Sequence, residues 1–270
     1  MNGPAQRVQQ LQVDAPVPHQ IARDANGNRI VHLTWPGATA GELRVRSLVR
    51  RAPSRAVSPE DAHPGTPLDP TRYSAAASRI PLDGVIEALG EQESRGTAGS
   101  AEKVRSFYDY VTANMKYSKH GDGWGQGDAI WACASRYGNC TDFHSVFIGM
   151  ARSRGIPARF LIGFPIPAQQ VEGEIPGYHC GSEAWLPDAG WWPLDASEAW
   201  KSQRIDDYYG ALPSDRIRFS VGRDLVLSPP QAGEPLNYFI YPYAEVDGVA
   251  VEKVPARFHF RRLPGPTVSH

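Results

Sequence analysis

RYGNCTDFHSVFIGMARSRGIPARF, residues 136–160, is the stretch that decides the fold, because a complete helix signature lies within it. Its apolar residues recur at three- and four-residue steps, as on one face of a helix: Phe143, Val146, Phe147, Met150 and Ala151. We predict a helix from about Cys140 to Arg154, ended by Gly155 and not continued past Pro157. A cysteine at the start of such a helix is a buried apolar residue, a metal ligand or a nucleophile.

The segments on either side of this helix predict a mixture of helices and antiparallel strands. Upstream, SAEKVRSFYDYVTANMKY (100–117) has the same helical periodicity, with Ser100 as a suitable N-cap. Downstream, ARFLIGF (158–164) is typical of a strand, and YHCGSEAWL (178–186) and WWPLDAS (191–197) predict two more around the turn PDAG. We predict an α+β fold in which a helical subdomain packs on an antiparallel sheet.

The flanking segments predict β structure. In QIARDANGNRIVHLTW (20–35), the turn at Asn26-Gly27 lies between two apolar runs, which predicts a β-hairpin. APSRAVSPEDAHPGTPLDPTRY (52–73) is rich in Pro, Ser and charge, and predicts a linker or an irregular surface segment. We therefore expect three parts: a β-rich segment with this linker (1–70), a core (71–220) and a β-rich C-terminal extension (221–270).

Length and charge narrow the classes of function. At 270 residues the chain is long enough to bury a stable core. Its 28 Lys and Arg balance 29 Asp and Glu, for a net charge of −1, so we expect no nucleic-acid partner. No run approaches the roughly 18 apolar residues of a spanning helix, so we expect no membrane span. The Gly-rich stretch KHGDGWGQGD (119–128) lacks the ending of a phosphate loop and predicts no nucleotide site.

Cysteine usage and the amino terminus leave the compartment open. Three cysteines form no disulfide framework, and an odd number leaves at least one thiol unpaired. The first residues lack the apolar stretch and the cleavage site of a secretory signal. We therefore expect a cytoplasmic protein from the chain as it stands, or an exported one if a leader has been removed. The sequence has no signature of an oligomeric state.

The position of Cys140 favours a nucleophile. A helix start presents unpaired backbone NH groups and the positive end of the helix dipole, which lower the pKa of a thiol from roughly 8.5 toward the range of activated cysteines. The same NH groups donate to the oxyanion that forms when a thiolate attacks a carbonyl. Trp124, Gln126 and Asn139 are further candidates for the oxyanion or substrate site.

A nucleophilic thiol needs a base, and the base needs an orienting acceptor. His179 and Asp195 lie on the two strands predicted around PDAG. A tight hairpin centred on Asp188-Ala189 places Asp195 opposite Ser182, roughly 10 Å along the strand from His179. The pair therefore requires a longer turn or a bulge, and Gly181 is suited to a bulge.

The stretches YGNCTDFHSVFIGMARSRGIPARFLIGFP and HCGSEAWLPDAGWWPLDASEAWK together resemble the core of the transglutaminase-like superfamily. The resemblance covers about residues 101–220 and implies a papain-like α+β core. It assigns nucleophile, base and orienting acid to the positions of Cys140, His179 and Asp195. One departure is that an aromatic residue often follows the histidine in this family, where this chain has Gly181.

Several other interpretations of these residues stay open. A zinc site has suitable ligand types, but no CxxC pair and no zinc-knuckle spacing: Cys133, Cys140, His144, His179 and Cys180. Cys133 and Cys180 are better explained by packing, and His144 by a hydrogen bond in the core rather than by a second base. Asp142 is expected to stabilise the helix start. Asp122 and Asp128 lack the remaining ligands of a calcium loop. We expect no metal and no other cofactor.

These observations predict thiol-dependent acyl chemistry on an amide of a protein or peptide substrate, through a thioester on Cys140. Hydrolysis by water makes the protein a cysteine peptidase or amidase, and transfer to an amine makes it a transglutaminase. A binding or scaffold protein that retains the core without activity is the alternative from another class.

Overall fold

The structure is a computed structural model that describes residues 5–37, 41–56 and 69–264. Within these residues it has five α-helices: α1 (Gly84–Glu93), α2 (Ser100–Asn114), α3 (Ala129–Ser135), α4 (Cys140–Ser153) and α5 (Ala196–Ser202). The strands are β1 (Gln6–Asp14), β2 (His19–Arg23), β3 (Arg29–Leu33), β4 (Arg44–Arg51), β5 (Ser54–Arg55), β6 (Lys116–Tyr117), β7 (Tyr137–Gly138), β8 (Ala158–Pro165), β9 (Glu172–Glu174), β10 (His179–Leu186), β11 (Gly190–Leu194), β12 (Ala211–Leu212), β13 (Arg216–Val221), β14 (Glu245–Val246), β15 (Val249–Ala250) and β16 (His259–Arg261).

Helix α4 lies at the centre of the core. Every residue from Cys140 to Arg152 is buried, and the helix packs against the other four helices and against β8 and β10. Phe143 and Phe147 are fully buried on its apolar face. A buried phenylalanine contributes about 1.5–3 kcal/mol relative to an exposed one, so this face supplies much of the driving force for docking the helix. The predicted helix is confirmed, with Arg154 as its C-cap and Gly155 in the left-handed region at φ +74°.

A four-stranded antiparallel sheet supports this helix, in the order β11-β10-β8-β13. Phe160, Ile162 and Phe164 of β8 belong to the main core with the helices, whereas Leu161 belongs to a smaller cluster. The sheet is therefore covered on both faces, as the all-buried pattern of β8 requires. The α+β prediction, with helices on an antiparallel sheet, is confirmed.

The second face of the sheet buries an ion network rather than apolar side chains alone. Glu183 of β10 is hydrogen-bonded to Arg159 of β8 (Nε to Oε2, 2.6 Å) and to Arg218 of β13. The Arg159 guanidinium lies 3.8 Å from the centroid of the Trp191 ring on β11. These contacts join four neighbouring strands across the sheet.

The flanks agree with the sequence in part. The hairpin of β2 and β3 around Gly27 is confirmed, and helix α2 begins one residue earlier than expected, with Gly99 as its N-cap and Ser100 as its first residue. The C-terminal extension is less β-rich than predicted: between residues 222 and 264 it has only the short strands β14, β15 and β16. Prolines in this segment, at Pro229, Pro230 and Pro235 among others, remove the NH donors that a longer ladder needs.

Both flanks are joined to the core by short strand pairs. Strand β5 pairs with β12, and β16 pairs with β9. Most of the predicted Pro-rich linker, residues 57–68, lies outside the described residues. No helix in the described ranges is both long enough and apolar enough to cross a membrane.

Candidate active site

The start of helix α4 is fixed by a reciprocal capping box. Asn139 is the N-cap, and its Oδ1 accepts a hydrogen bond from the Thr141 NH at 2.8 Å. The Asp142 carboxylate accepts from the Asn139 NH at 2.8 Å. Two of the unpaired NH groups at this helix end are thereby satisfied. Cys140, only 2% exposed, is held as the first residue of the helix.

The Gly-rich loop, residues 119–128, lies directly on this helix start. Asp142 also accepts from the NH groups of Gly125 (2.6 Å) and Gly127 (2.9 Å). Both glycines have positive φ, and a Cβ at Gly127 would come within 2.6 Å of Thr141 Cγ2. Asp142 therefore stabilises the helix start, as predicted, and it also holds the loop against it.

His179 and Asp195 meet because their hairpin has a three-residue turn. Leu186 pairs with Gly190, and Ser182 with Leu194, so the continued register brings Asp195 across from Gly181. Residues opposite one another share a face of the sheet, and so do residues two apart on one strand. His179 and Asp195 are thus on the same face, with His179 Nε2 2.5 Å from Asp195 Oδ2.

A tight turn centred on Asp188-Ala189 would pair Asp195 with Ser182 and place its side chain on the face opposite to His179. Of the two expected solutions, a longer turn or a bulge at Gly181, the structure has the longer turn. Strand β10 continues in register along β8 from His179 to Ala184, so no bulge at Gly181 is involved.

Asp195 is oriented by the start of helix α5 as well as by His179. It is the N-cap of α5, and its Oδ1 accepts from the Glu198 NH and from Ser197 Oγ, both at 2.9 Å. Burial raises the pKa of this carboxyl, but the charge of His179 and its hydrogen bond outweigh burial and hold the pKa well below its usual range. Asp195 is an anion whose two oxygens are both engaged.

The electrostatics of Cys140 and His179 favour their charged forms. Burial raises the pKa of Cys140, but a hydrogen bond from Cys180 and the charge of His179 prevail and lower it to about 7. Burial lowers the pKa of His179, yet Asp195 and Cys140 raise it above its ordinary value. Each charge thus favours the other: the imidazolium lowers the pKa of the Cys140 thiol, and the thiolate raises the pKa of the His179 imidazole.

The other two cysteines differ in their surroundings. Cys133 is half-buried, and burial raises its pKa. Cys180 is 1% exposed in the main core, as a packing residue should be, and its Sγ lies 3.3 Å from Thr141 Oγ1. Burial and the neighbouring Cys140 hold its pKa well above normal, so Cys180 stays a thiol beside the candidate nucleophile.

His144 lies one turn after Cys140, fully buried beside the same carboxylate. Its Nε2 is 3.6 Å from Asp195 Oδ1, and neither ring nitrogen has a hydrogen-bond partner among the described residues. The imidazole of His144 thus lies against the Asp195 carboxylate without the core hydrogen bond that was expected of it. Burial lowers its pKa to about 4, so His144 is neutral at neutral pH.

The three oxyanion candidates have different surroundings. The Asn139 side-chain NH₂ donates to the Tyr178 hydroxyl at 3.1 Å, so this amide is engaged away from a substrate. Trp124 is half-buried in the Gly-rich loop, with Lys119 Nζ 5.9 Å from its ring centroid. The Gln126 side chain is exposed. Trp124 and Gln126 therefore remain available as donors.

Sequence reasoning missed the residues that approach this loop from outside the core. Tyr178 could have been identified from the sequence, because it is an aromatic residue directly before the candidate base His179. Asn237 donates to the Gln126 carbonyl and Tyr238 to the Gly125 carbonyl, over more than 100 residues of sequence. No local pattern predicts contacts at that separation.

A metal has one geometric possibility in the described part of the chain. His179, Asp195 and Glu198 offer ligand atoms within 4.8 Å of one another. The first two are hydrogen-bonded to each other, and Glu198 Oε2 bonds Lys201 Nζ at 2.6 Å. An ion would have to displace both interactions. None of the three cysteines belongs to this group, so the cysteine-based zinc reading has no support.

Comparison with known proteins gives a family match and several relatives. Residues 87–196 match the family described as the transglutaminase-like superfamily. The chain is 28% identical over 214 residues to an "Uncharacterized protein" of Haemophilus influenzae, covering 67% of this chain and 58% of that one. It is 28% identical over 172 residues to "Uncharacterized protein ML0607" of Mycobacterium leprae, covering 62% and 53%. The chain spans little more than half the length of these relatives.

A solved structure shares the fold. The crystal structure of a "Putative Cysteine Protease" from Cytophaga hutchinsonii superposes with a TM-score of 0.58 at 18% identity, over 82% of this chain and 73% of that one. At this identity the likeness concerns the fold alone.

Proposed function

We propose that the chain is a thiol-dependent enzyme that cleaves or transfers the acyl group of an amide, because residues 87–196 match the transglutaminase-like superfamily. Cys140 is the nucleophile, His179 the acid and base, and Asp195 the group that orients the imidazole. The observation that supports this best is the coupled trio itself: a thiol with its pKa lowered to about 7, an imidazole with its pKa raised, and a buried carboxylate 2.5 Å from that imidazole.

The first half-reaction forms a thioester. The Cys140 thiolate attacks the amide carbon, and the π electron pair moves onto the oxygen, where NH groups at the start of α4 and in the Gly-rich loop stabilise the charge. As the C–N bond breaks, protonated His179 gives its proton to the leaving nitrogen. His179 Nε2 is occupied by Asp195, so Nδ1 is the ring nitrogen left to exchange this proton.

The second half-reaction resolves the thioester. Neutral His179 removes a proton from water, the hydroxide oxygen attacks the acyl carbon, and the carboxylic acid leaves as Cys140 is restored as a thiolate. Hydrolysis is the outcome we favour. If an amine replaces water, the same residues produce a new amide, and the protein is a transglutaminase.

Alkylation of Cys140 tests the trio without a known substrate. Iodoacetamide labelling is followed by mass spectrometry between about pH 4 and pH 9, in the parent and in His179→Ala. We expect fast labelling near pH 6 in the parent and a profile displaced to higher pH in the variant. If both proteins label only above about pH 8, as an ordinary thiol does, the proposal is wrong and the non-catalytic alternative takes its place.

An amine acceptor separates the two outcomes. Glutamine-containing peptides are incubated with the enzyme, with and without methylamine, and the masses of the products are measured by mass spectrometry. Acid products in both samples mean hydrolysis, whereas methylamide products in the second sample mean transfer. A Cys140→Ala control identifies any activity that does not depend on the thiol.

A further inference from the structure

The Gly-rich loop is held from two opposite directions. On one side, the Asp142 carboxylate of α4 accepts from the NH groups of Gly125 and Gly127. On the other side, the carbonyl groups of three successive residues accept hydrogen bonds from a segment beyond the family match. The Gly125 carbonyl accepts from Tyr238 Oη (3.1 Å), that of Gln126 from Asn237 Nδ2 (2.7 Å) and that of Gly127 from Arg223 Nη2 (3.0 Å).

Arg223 joins this segment to the helix that bears Cys140. Its Nη1 donates to Ser145 Oγ of α4 at 2.7 Å, and its Nε donates to Asn237 Oδ1 at 2.8 Å. Arg223 is 8% exposed. One buried cation therefore connects the loop, the helix and the side chain of Asn237.

The loop needs such support because of its composition. Four alternating glycines have positive φ: Gly121, Gly123, Gly125 and Gly127. Glycine backbones lose more conformational freedom on ordering than those of any other residue, so this stretch does not keep one shape by itself. An oxyanion donor, in contrast, must be held close to its working geometry, since a displacement of about 1 Å reduces the rate by roughly 10².

We propose that Asn237 and Tyr238 are positioning residues for the acyl chemistry, which hold the Gly-rich loop so that its donors at Trp124 and Gln126 reach the oxyanion. This inference rests on the proposed function. It assigns a role in the reaction to the segment 222–240, which lies outside the matched residues 87–196. The core alone has the nucleophile, the base, the orienting carboxylate and Asp142, but not the donors that bind the carbonyl groups of the Gly-rich loop.

Two reagents distinguish this role from mere support of the fold. Iodoacetamide alkylates a thiolate in a displacement that forms no oxyanion, so its rate reports only Cys140 and His179. An N-acetylated peptide aldehyde forms a hemithioacetal: the S–C bond forms, the carbonyl π pair moves to the oxygen as an oxyanion, and His179 keeps the proton of the thiol. Its affinity therefore depends on the oxyanion donors.

The informative variant is Asn237→Asp. A carboxylate at this position keeps the acceptor for Arg223 and removes the NH₂ that donates to the Gln126 carbonyl. Tyr238→Phe removes the hydroxyl that donates to the Gly125 carbonyl. The matched control is Tyr243→Phe, three residues beyond this segment, whose hydroxyl donates to Glu245 Oε1 instead. Thermal unfolding verifies that each variant is folded.

We expect aldehyde affinity to fall about tenfold in Asn237→Asp, and further in the double variant with Tyr238→Phe, while the iodoacetamide rate at Cys140 stays within about twofold of the parent. Tyr243→Phe should leave both values unchanged. Equal aldehyde affinity in parent and variants, or equal losses in both readouts, overturns the positioning role. A parent whose Cys140 resists iodoacetamide below about pH 8 overturns the proposed function itself, and the inference with it.

Discussion

The residues proposed for the chemistry and the segment proposed to position them are built in opposite ways. Cys140, His179 and Asp195 lie at the ends of regular elements: the first turn of α4, the first residue of β10 and the N-cap of α5. The segment 222–240 has no helix and no named strand, yet it contacts three successive carbonyls of the Gly-rich loop. Reacting groups are thus fixed by secondary structure, and the loop beside them is fixed by individual hydrogen bonds.

This difference has an energetic basis. A helix or strand satisfies its own backbone groups, so a side chain at its end has a defined direction with little further support. A glycine-rich loop has neither internal bonds nor side-chain packing, and each of its backbone groups needs a partner from elsewhere. Substitution of Cys140, His179 or Asp195 should therefore abolish activity, whereas substitution in the segment 222–240 should only reduce it.

The largest loss of activity should follow from removing the sulfur of Cys140. Cys140→Ala is expected to lower turnover by about 10³ or more, because the thioester is no longer possible, while the melting temperature stays close to that of the parent. Cys133→Ala, in a half-buried cysteine away from the trio, is the control. Full turnover in Cys140→Ala would refute the assignment of the nucleophile.

Acid should destabilise the fold through the buried His144 of helix α4. Burial lowers its folded-state pKa to about 4, so the unfolded chain takes up a proton first as the pH falls below roughly 6.5. Stability is then lost between about pH 6.5 and pH 4, by an amount on the order of 3 kcal/mol.

His144→Met should remove this loss, since methionine does not titrate. Urea unfolding of parent and variant at about pH 7 and pH 5 measures the difference. Parallel pH dependence in the two proteins would mean that His144 does not titrate as its burial requires.

Asp142 joins the two regions, and its replacement should be costly to the fold. Asn in this position accepts with one oxygen and presents an NH₂ group to NH donors, so Asp142→Asn loses part of the bonding to Asn139, Gly125 and Gly127. We expect a loss of about 2 kcal/mol in the free energy of unfolding.

Asp142→Asn and Asn237→Asp should differ in their effects on stability and on aldehyde affinity. The Asp142 variant should lose stability and aldehyde affinity together, since both the helix cap and the loop are affected. The Asn237 variant should lose aldehyde affinity with little change in stability. Denaturant melts on both proteins, beside the aldehyde titration, decide between a shared and a separate role.

The smallest effect should come from the second thiol. A hydrogen bond from Cys180 helps to lower the pKa of Cys140, so Cys180→Ala should move the alkylation profile of Cys140 to higher pH. The rate at neutral pH then falls by less than about tenfold, the factor that one pKa unit represents. Cys133→Ala should leave the profile in place. An unmoved profile in Cys180→Ala would show that His179 alone lowers the pKa.

Features that depend on residues close together in the sequence were predicted well, and features that depend on distant residues were not. Helix α4 and strands β8 and β10 follow from local periodicity and from Gly155 and Pro157, and they were predicted closely. Helix α1 has ten residues and helices α3 and α5 have seven each, too few for a periodic pattern to stand out, and none of the three was located from the sequence.

The candidate site divides in the same way. Three residues in local motifs, Cys140, His179 and Asp195, were singled out from sequence, although the choice between a longer turn and a bulge in their hairpin stayed open. The contacts of Arg223, Asn237 and Tyr238 with the Gly-rich loop depend on how a distant segment folds back. Irregular segments have no period from which such contacts can be inferred.

The three-residue turn between β10 and β11, residues 187–189, has a consequence for insertions and deletions. Side chains alternate between the two faces of a strand, so if one residue is added or removed and the turn still closes with three residues, β11 slips by one residue along β10 and Asp195 moves to the face away from His179. A slip of two residues restores the face but moves Asp195 along the strand. We therefore expect substitutions within this turn to disturb the contact of His179 with Asp195 less than changes of its length.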